Sequence, residues 1–252
     1  MLTGAANFRD LGGILTVDGR RIRSGMIYRS NSFSRLTEED IAVVERLGLK
    51  TIIDLRTYAE RSRSPSRWIN DLVNVVSSGK LDTEMMLAPI FEAGDGDEVE
   101  WRRRFSEFFA QIPDLYADEF AAMFGALAEG KTPLLVNCSA GKDRTGVAAL
   151  LILLAVGVDR EVAIADYLLS EERLQNDPAF VEMLSATVHD GFSRLPPYAR
   201  AVMLGTHRQH ADAVIGTIGA NYGSVEGYLI RRLGFSSEAL LLMRERLTEA
   251  VS

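Results

Sequence analysis

The chain has 252 residues, 47% of them hydrophobic and 25% charged, with a formal net charge of −7. That length suits one α/β domain spanning residues 1–252, the composition is that of a soluble globular protein, and the acidic balance argues against nucleic acid or an anionic membrane as main partner. One cysteine excludes an intramolecular disulfide and makes a cytoplasmic setting the simplest reading, while three scattered histidines make no convincing metal centre. The N-terminus shows no signal pattern, and the longest apolar run, Val147 to Val158, is too short for stable membrane insertion.

In chain order, Gly12-Gly13 is a turn, with Arg9 and Asp10 beside it either paired with each other or serving a site. Ile14 to Ile22 reads as a hairpin turned at Asp18-Gly19, and Met26 to Ser30 as a short strand. Thr37-Glu38-Glu39-Asp40 is a capping box opening a helix with Ile41, Val44 and Leu47 on its inner face, closed by Gly48. Lys50 to Arg56 is a buried strand that ends in charge. Asp54 and Arg56 project the same way at its C-terminal end, where open α/β sheets bind ligands; Asp54 is therefore a candidate general acid or a structural partner for a loop arginine.

Ser64-Pro65 breaks the chain and Leu72 to Val76 adds a strand. Ser77 to Glu100, acidic and with two Gly-Asp steps, reads as a flexible insertion near a site mouth. Trp101 to Phe109 sets a basic triplet, Arg102 to Arg104, beside Trp101, Phe105, Phe108 and Phe109. Asp114 to Glu129 is helical by pattern and stops at Gly130. Beyond residue 156, Gly157 ends one helix and Asp159 caps the next, Asp177-Pro178 opens another, Leu195-Pro196-Pro197 marks a loop, and Ser236 caps the last. His207 and His210 read as a solvated pair, and Tyr222 and Tyr228 as core.

The chemistry concentrates between Asn137 and Gly146, Asn-Cys-Ser-Ala-Gly-Lys-Asp-Arg-Thr-Gly. An apolar run, Pro133 to Val136, leads in as a buried strand, and Val147 to Val156 leads out as a core helix. Small and polar residues between, Gly141 among them, let the backbone curl so that the N–H groups of Ser139, Ala140, Gly141, Lys142, Asp143 and Arg144 form a cradle for a tetrahedral oxyanion at a helix N-terminus. Arg144 closes it with a charged fork, and Cys138 lies at the bottom, where donors and positive charge favour thiolate. Attack by that thiolate on a bound phosphoryl group gives a phosphocysteine, and Thr145 is placed to donate its hydroxyl to the departing sulfur. Lys142 is expected to contact substrate or a second phosphate. A nucleotide P-loop is excluded, because Gly141-Lys142 is followed by Asp143 rather than Ser or Thr.

The spacing Cys-x5-Arg-Thr-Gly resembles the signature of protein tyrosine phosphatases, and Ala-Gly-Lys-Asp-Arg-Thr-Gly is similar to the bacterial branch that resembles dual-specificity and phosphoinositide phosphatases. Asn7-Phe8-Arg9-Asp10-Leu11-Gly12-Gly13, Tyr28-Arg29-Ser30-Asn31, Ala165 to Ser170 and Tyr222 to Leu229 carry the resemblance from Asn7 to about Gly234, most weakly between Ser77 and Asp114. It implies an α/β, single-domain tyrosine-phosphatase-like fold: a central, mostly parallel twisted sheet flanked by helices, with a helical lid insertion at about 77–113. It also implies a metal-independent, cofactor-free hydrolase acting on phosphotyrosine, and on phosphoserine or phosphothreonine as well, in a phosphorylated protein. A phosphoinositide is the alternative substrate, which a basic lid would suit. Either Asp143 or Asp54 protonates the leaving oxygen. The family carries His before the cysteine where this chain has Asn137, which hydrogen-bonds but carries no charge, so a less acidic Cys138 is expected. The competing readings are a phosphate-binding module with little turnover and, more remotely, a sulfurtransferase. An arsenate reductase would need partner thiols that the chain lacks.

Overall fold

Five short strands make the central sheet of the computed structural model, which describes residues 2–79, 90, 96–175 and 195–251. They are β1 (Arg9–Asp10), β3 (Ile27–Ser30), β4 (Thr51–Asp54), β5 (Asn74–Ser77) and β6 (Leu134–Asn137), in the order β1-β3-β6-β4-β5. Only β1 is antiparallel to its neighbour. The hairpin at Asp18-Gly19 is reduced to a bridge between Leu15 and Arg21. Its second arm, β2 (Arg20–Ile22), pairs with β7 (Thr248–Ala250), a C-terminal strand with no sequence signal of its own.

Register decides where the site lies. Ser30 of β3 and Asp54 of β4 both stand opposite Asn137 of β6, and Ser77 of β5 stands opposite Asp54, so four parallel strands end on one line. The chain leaves that line into the loop containing Cys138. Alternation along β6 sends Leu134 and Val136 to one face and Leu135 to the other.

The first face is covered by a thick helical layer built on α5 (Arg144–Ala155), whose residues are buried almost all round, as a continuous apolar run requires. The other face carries a thinner cover: α1 (Glu38–Arg46), Trp68 and the N-terminal residues Leu2 and Ala5. Asp40 completes the capping box with Thr37, and its carboxylate also accepts the amides of Thr3 and Gly4 at 2.8 and 2.7 Å, fastening that segment. A short helix, α2 (Tyr58–Arg63), follows β4 where the sequence reading placed only a break at Ser64-Pro65.

Within the region read as a lid insertion, one described helix packs into the core. In α3 (Glu98–Leu115), Trp101, Phe105, Phe109 and Ile112 recur at helical spacing and are buried in the main core. The basic triplet is matched by acids a turn away: Arg102 by Glu98, Arg103 by Glu100 and Glu107, Arg104 by Glu100. The helix read from Asp114 begins at Ala117, after a break at Tyr116. This α4 (Ala117–Glu129) ends at Gly130, which has a left-handed φ of 74°.

The remaining helices are α6 (Arg160–Gln175), α7 (Pro197–Leu204), α8 (Arg208–Tyr222), α9 (Val225–Arg231) and α10 (Ser237–Leu247). Asp159 and Ser236 cap as expected: Asp159 accepts from Glu161 N–H and Ser236 from Ala239 N–H. Tyr228 is core, its hydroxyl donating to the Pro113 carbonyl at 2.6 Å. Most of the insertion read from Ser77 to Glu100, the helix read from Asp177-Pro178, and His189 lie outside the described residues.

Phe109 stacks on His210 at 4.2 Å between ring centroids and is 1% exposed. Phe109→Ala is expected to lower unfolding free energy by about 3–5 kcal/mol, read as a drop in the urea midpoint without change in slope.

Candidate active site

Cys138 leaves β6 almost wholly buried, and six residues later Arg144 begins α5. Between them, three consecutive backbone carbonyls are held from outside the curl. The Ser139 carbonyl accepts from the Ser32 N–H at 3.1 Å and the Ala140 carbonyl from Asn7 Nδ2 at 3.1 Å. The Gly141 carbonyl accepts from Asn7 Nδ2 at 2.9 Å and Arg29 Nη2 at 3.0 Å. Gly141 has φ +67°, and a Cβ there would lie 2.4 Å from the backbone of Ser30 and Asn31, so no other residue fits.

Arg144 is oriented by a carboxylate that the sequence reading missed. Its Nη1 and Nη2 bind Glu60 Oε2 and Oε1, each at 2.7 Å, and Nη1 also donates to the Leu55 carbonyl at 3.0 Å. Glu60 further accepts from Ser139 Oγ at 2.6 Å and from the Thr57 N–H at 2.7 Å. Burial alone would raise the Glu60 carboxyl; the charge and hydrogen bonds of Arg144 override it and hold the group well below the usual carboxylate range. Conversely, burial would lower Arg144, and Glu60 reverses that. Tyr116, fully buried at the break between α3 and α4, hydrogen-bonds the same guanidinium. The Thr57-x-x-Glu60 spacing is itself a capping box, so the sequence carries a local signal for Glu60.

The two candidate acids differ sharply. Asp143 immediately precedes Arg144, its side chain 36% exposed and in contact with Lys142 Nζ at 2.8 Å. Asp54 projects to the face opposite the main core, sharing the Ile52 and Leu135 side with Asn137, whereas Cys138 belongs to the main-core side. Its carboxylate is gripped by Arg56 Nε at 2.9 Å and Nη2 at 2.8 Å, and by the Arg56 N–H at 3.1 Å. Asp54 is thus an arginine's partner, but of Arg56 beside it rather than of the loop arginine Arg144, which Glu60 binds. Asn137 Nδ2 reaches Asp54 Oδ1 at 3.4 Å, and both line a cavity of about 310 Å³ with Phe33 and Trp68.

Other side chains depart from expectation. Lys142, read as reaching toward substrate, is turned inward, its buried ammonium donating to the carbonyls of Met203 and Gly205 at 2.8 and 3.0 Å. Arg9 and Asp10 do not pair with each other, because neighbours on a strand point oppositely. Arg9 binds Asp166, and Asp10 accepts the amides of Gly12 and Gly25. His207 and His210 are not a solvated pair: His210 is buried, and burial with Lys142, His207 and Arg102 nearby pushes it down to about 2. The Thr145 hydroxyl is buried without a hydrogen-bond partner among the described residues. Among those residues, no group of three or more His, Cys, Asp or Glu could hold a metal ion, and no helix is long and apolar enough to cross a membrane.

A family profile described as "Tyrosine phosphatase family" matches residues 1–249. The chain belongs to that family. Among its relatives, the triple specificity protein phosphatase PtpB of Mycobacterium tuberculosis is 30% identical, with 96% of each chain covered. A protein of Cupriavidus necator named as a tyrosine-protein phosphatase is 32% identical over 89% of this chain and 80% of that one. A tyrosine-protein phosphatase of Nostoc commune is 27% identical over 88% and 74%. The chain is thus a phosphatase of the tyrosine type with an α/β fold, as its phosphate-loop residues had implied.

The Glu60–Arg144 pair carries an acid-stability prediction. Glu60 is held below its unfolded value of about 4.3, so its contribution is fully present above that value and is lost as pH falls below it, where the unfolded chain takes up a proton and the folded one does not. Glu60→Gln leaves a buried guanidinium without its counter-charge, at a cost of about 3–5 kcal/mol near neutral pH. Urea midpoints measured from pH 6 down to pH 3 should therefore fall less steeply for Glu60→Gln than for wild type.

Proposed function

We propose that this phosphatase hydrolyses phosphotyrosine in proteins by two displacements at phosphorus. Cys138 thiolate attacks in line, forming the S–P bond as the P–O bond to the tyrosyl oxygen breaks, and Asp143 gives that oxygen its proton. Asp143 then takes a proton from water, whose oxygen attacks the phosphocysteine. Phosphate leaves as the S–P bond breaks and the thiolate is regenerated; Thr145, whose buried hydroxyl has no hydrogen-bond partner among the described residues, donates to the departing sulfur. The loop amides and Arg144 hold the phosphoryl oxygens throughout.

The observation that carries this reading is the loop itself: a buried cysteine, three outward-held carbonyls, and a guanidinium fixed by a bidentate carboxylate. Asp143 is preferred to Asp54 because it belongs to the loop itself and its side chain is partly exposed, while Asp54 is buried and bound by Arg56 on the opposite face. A phosphoprotein is preferred to a phosphoinositide because the Arg102 to Arg104 triplet is matched by glutamates and Lys142 is turned inward. The single cysteine supports a cytoplasmic site of action.

Steady-state hydrolysis of a phosphotyrosine peptide, a phosphoserine peptide and phosphoinositides, with chelator present, tests the proposal. Turnover should be highest on phosphotyrosine and be abolished in Cys138→Ser. Asp143→Asn should lower kcat on the peptide by about 10²–10⁴-fold, and by much less on p-nitrophenyl phosphate, whose leaving group needs no proton. Asp54→Asn should show no such dependence on the leaving group. Wild-type protein that binds phosphate but turns over no substrate would make the chain a binding module instead.

A further inference from the structure

Behind the loop lies a buried polar cluster to which the phosphatase reading assigns no work. Arg29, fully buried on β3, binds Asp166 Oδ2 at 2.5 Å through Nη1, and Ser170 Oγ at 3.1 Å and the Gly141 carbonyl at 3.0 Å through Nη2. Arg9 takes the other oxygen of Asp166 at 2.8 Å through Nε, and its Nη1 donates to Asn7 Oδ1 at 2.5 Å. Asn7 is also fixed by its own N–H, which donates to Asn31 Oδ1 at 3.1 Å, leaving Nδ2 aimed at the Ala140 and Gly141 carbonyls. Two guanidiniums share one carboxylate, so positive charge is in excess directly behind Gly141.

A trans peptide sets its carbonyl and the following N–H on opposite sides. Turning the carbonyls of Ser139, Ala140 and Gly141 outward therefore turns the amides of Ala140, Gly141 and Lys142 inward, toward the space a phosphoryl group fills. Without outside partners those carbonyls would be buried and unpaired, and the peptides would rotate to find one. Of these described partners, the Ser32 N–H is backbone, and Asn7 and Arg29 are side chains.

We infer that Asn7 and Arg29 are positioning residues for the phosphate loop, which aim the Gly141 and Lys142 amides at the oxygens of the phosphoryl group in the transition state. The inference rests on the phosphatase reading. Neither residue touches substrate; each acts through a loop carbonyl. Because amide donors prearranged for developing charge act more on the transition state than on the ground state, loss of the positioning falls on kcat rather than KM.

The test compares wild type, Asn7→Ala, Arg29→Met, Arg29→Lys and Tyr228→Phe. Kinetics on a phosphotyrosine peptide are combined with inhibition by vanadate, which adopts the geometry of the transition state, and by inorganic phosphate, which does not. Asn7→Ala and Arg29→Met should each lower kcat by about 10–100-fold and change KM by less than about threefold. Vanadate should weaken by the same factor as kcat/KM, and phosphate by less than about threefold. Arg29→Lys, which keeps the charge but cannot span Asp166 and Gly141 together, should recover little of the loss. Tyr228→Phe removes a buried hydrogen bond to the Pro113 carbonyl rather than one to a loop carbonyl. It should lower stability while leaving kcat and both inhibitors unchanged.

Folded Asn7→Ala and Arg29→Met proteins with wild-type kcat and vanadate inhibition would overturn the inference. So would losses against vanadate and phosphate that are equal and follow stability as in Tyr228→Phe. Should Arg29→Met fail to fold, Asn7→Ala, which removes no buried charge, decides alone. Absence of turnover in wild type would count against the proposed function, and calorimetric binding of vanadate relative to phosphate would still read the loop.

Discussion

A backbone that must present several amides to one anion has to dispose of as many carbonyls on its other side. Between Ser139 and Gly141 this constraint is met by a backbone amide from the β3 exit, an asparagine ahead of β1 and an arginine within β3. The sheet order follows the same need. β6 must be central, so that β3 can grip its loop from one side while β4 leads into α2, whose Glu60 grips Arg144 from the other.

Charge is distributed accordingly. On one side of the loop, Glu60 neutralises Arg144; on the other, Asp166 falls one charge short of Arg9 and Arg29. Such pairs are weak contributors to stability once desolvation is counted, yet breaking one leaves a buried charge without a partner. Their value here is geometric: each carboxylate is bidentate or bridging and fixes two donors at once. The surface pairs along α3 are of the other kind, exposed and worth little individually.

The sequence made the loop, the strand before it and the helix after it legible, because an apolar strand, a small-residue turn and an apolar helix leave few alternatives. Caps at Thr37, Asp159 and Ser236 were legible for the same local reason. Partnerships across the chain were not. Asp54 and Arg56 could be seen to share a direction, but whether the carboxylate faced the cysteine depended on which side of the sheet was which. Lys142 looked available because a lysine in a polar loop usually is, and only the placement of α7 shows two carbonyls waiting for it. The aromatic stripe of α3 was readable as a stripe, but the core into which it packs was not. Glu60 was missed although its capping spacing was local, because the short helix it opens lacks a long apolar period.

The bond from Asn7 to Gly141 joins residues 134 positions apart, and that from Arg9 to Asp166 joins residues 157 apart. Contacts of such sequence separation close large loops and form late. The phosphate loop is local in sequence, yet it reaches its working shape only when the first strand has docked against a helix from the second half of the chain. An emerging polypeptide therefore cannot complete the cradle around Cys138 until that helix has been synthesised and packed. Competence for chemistry and completion of the fold become one event.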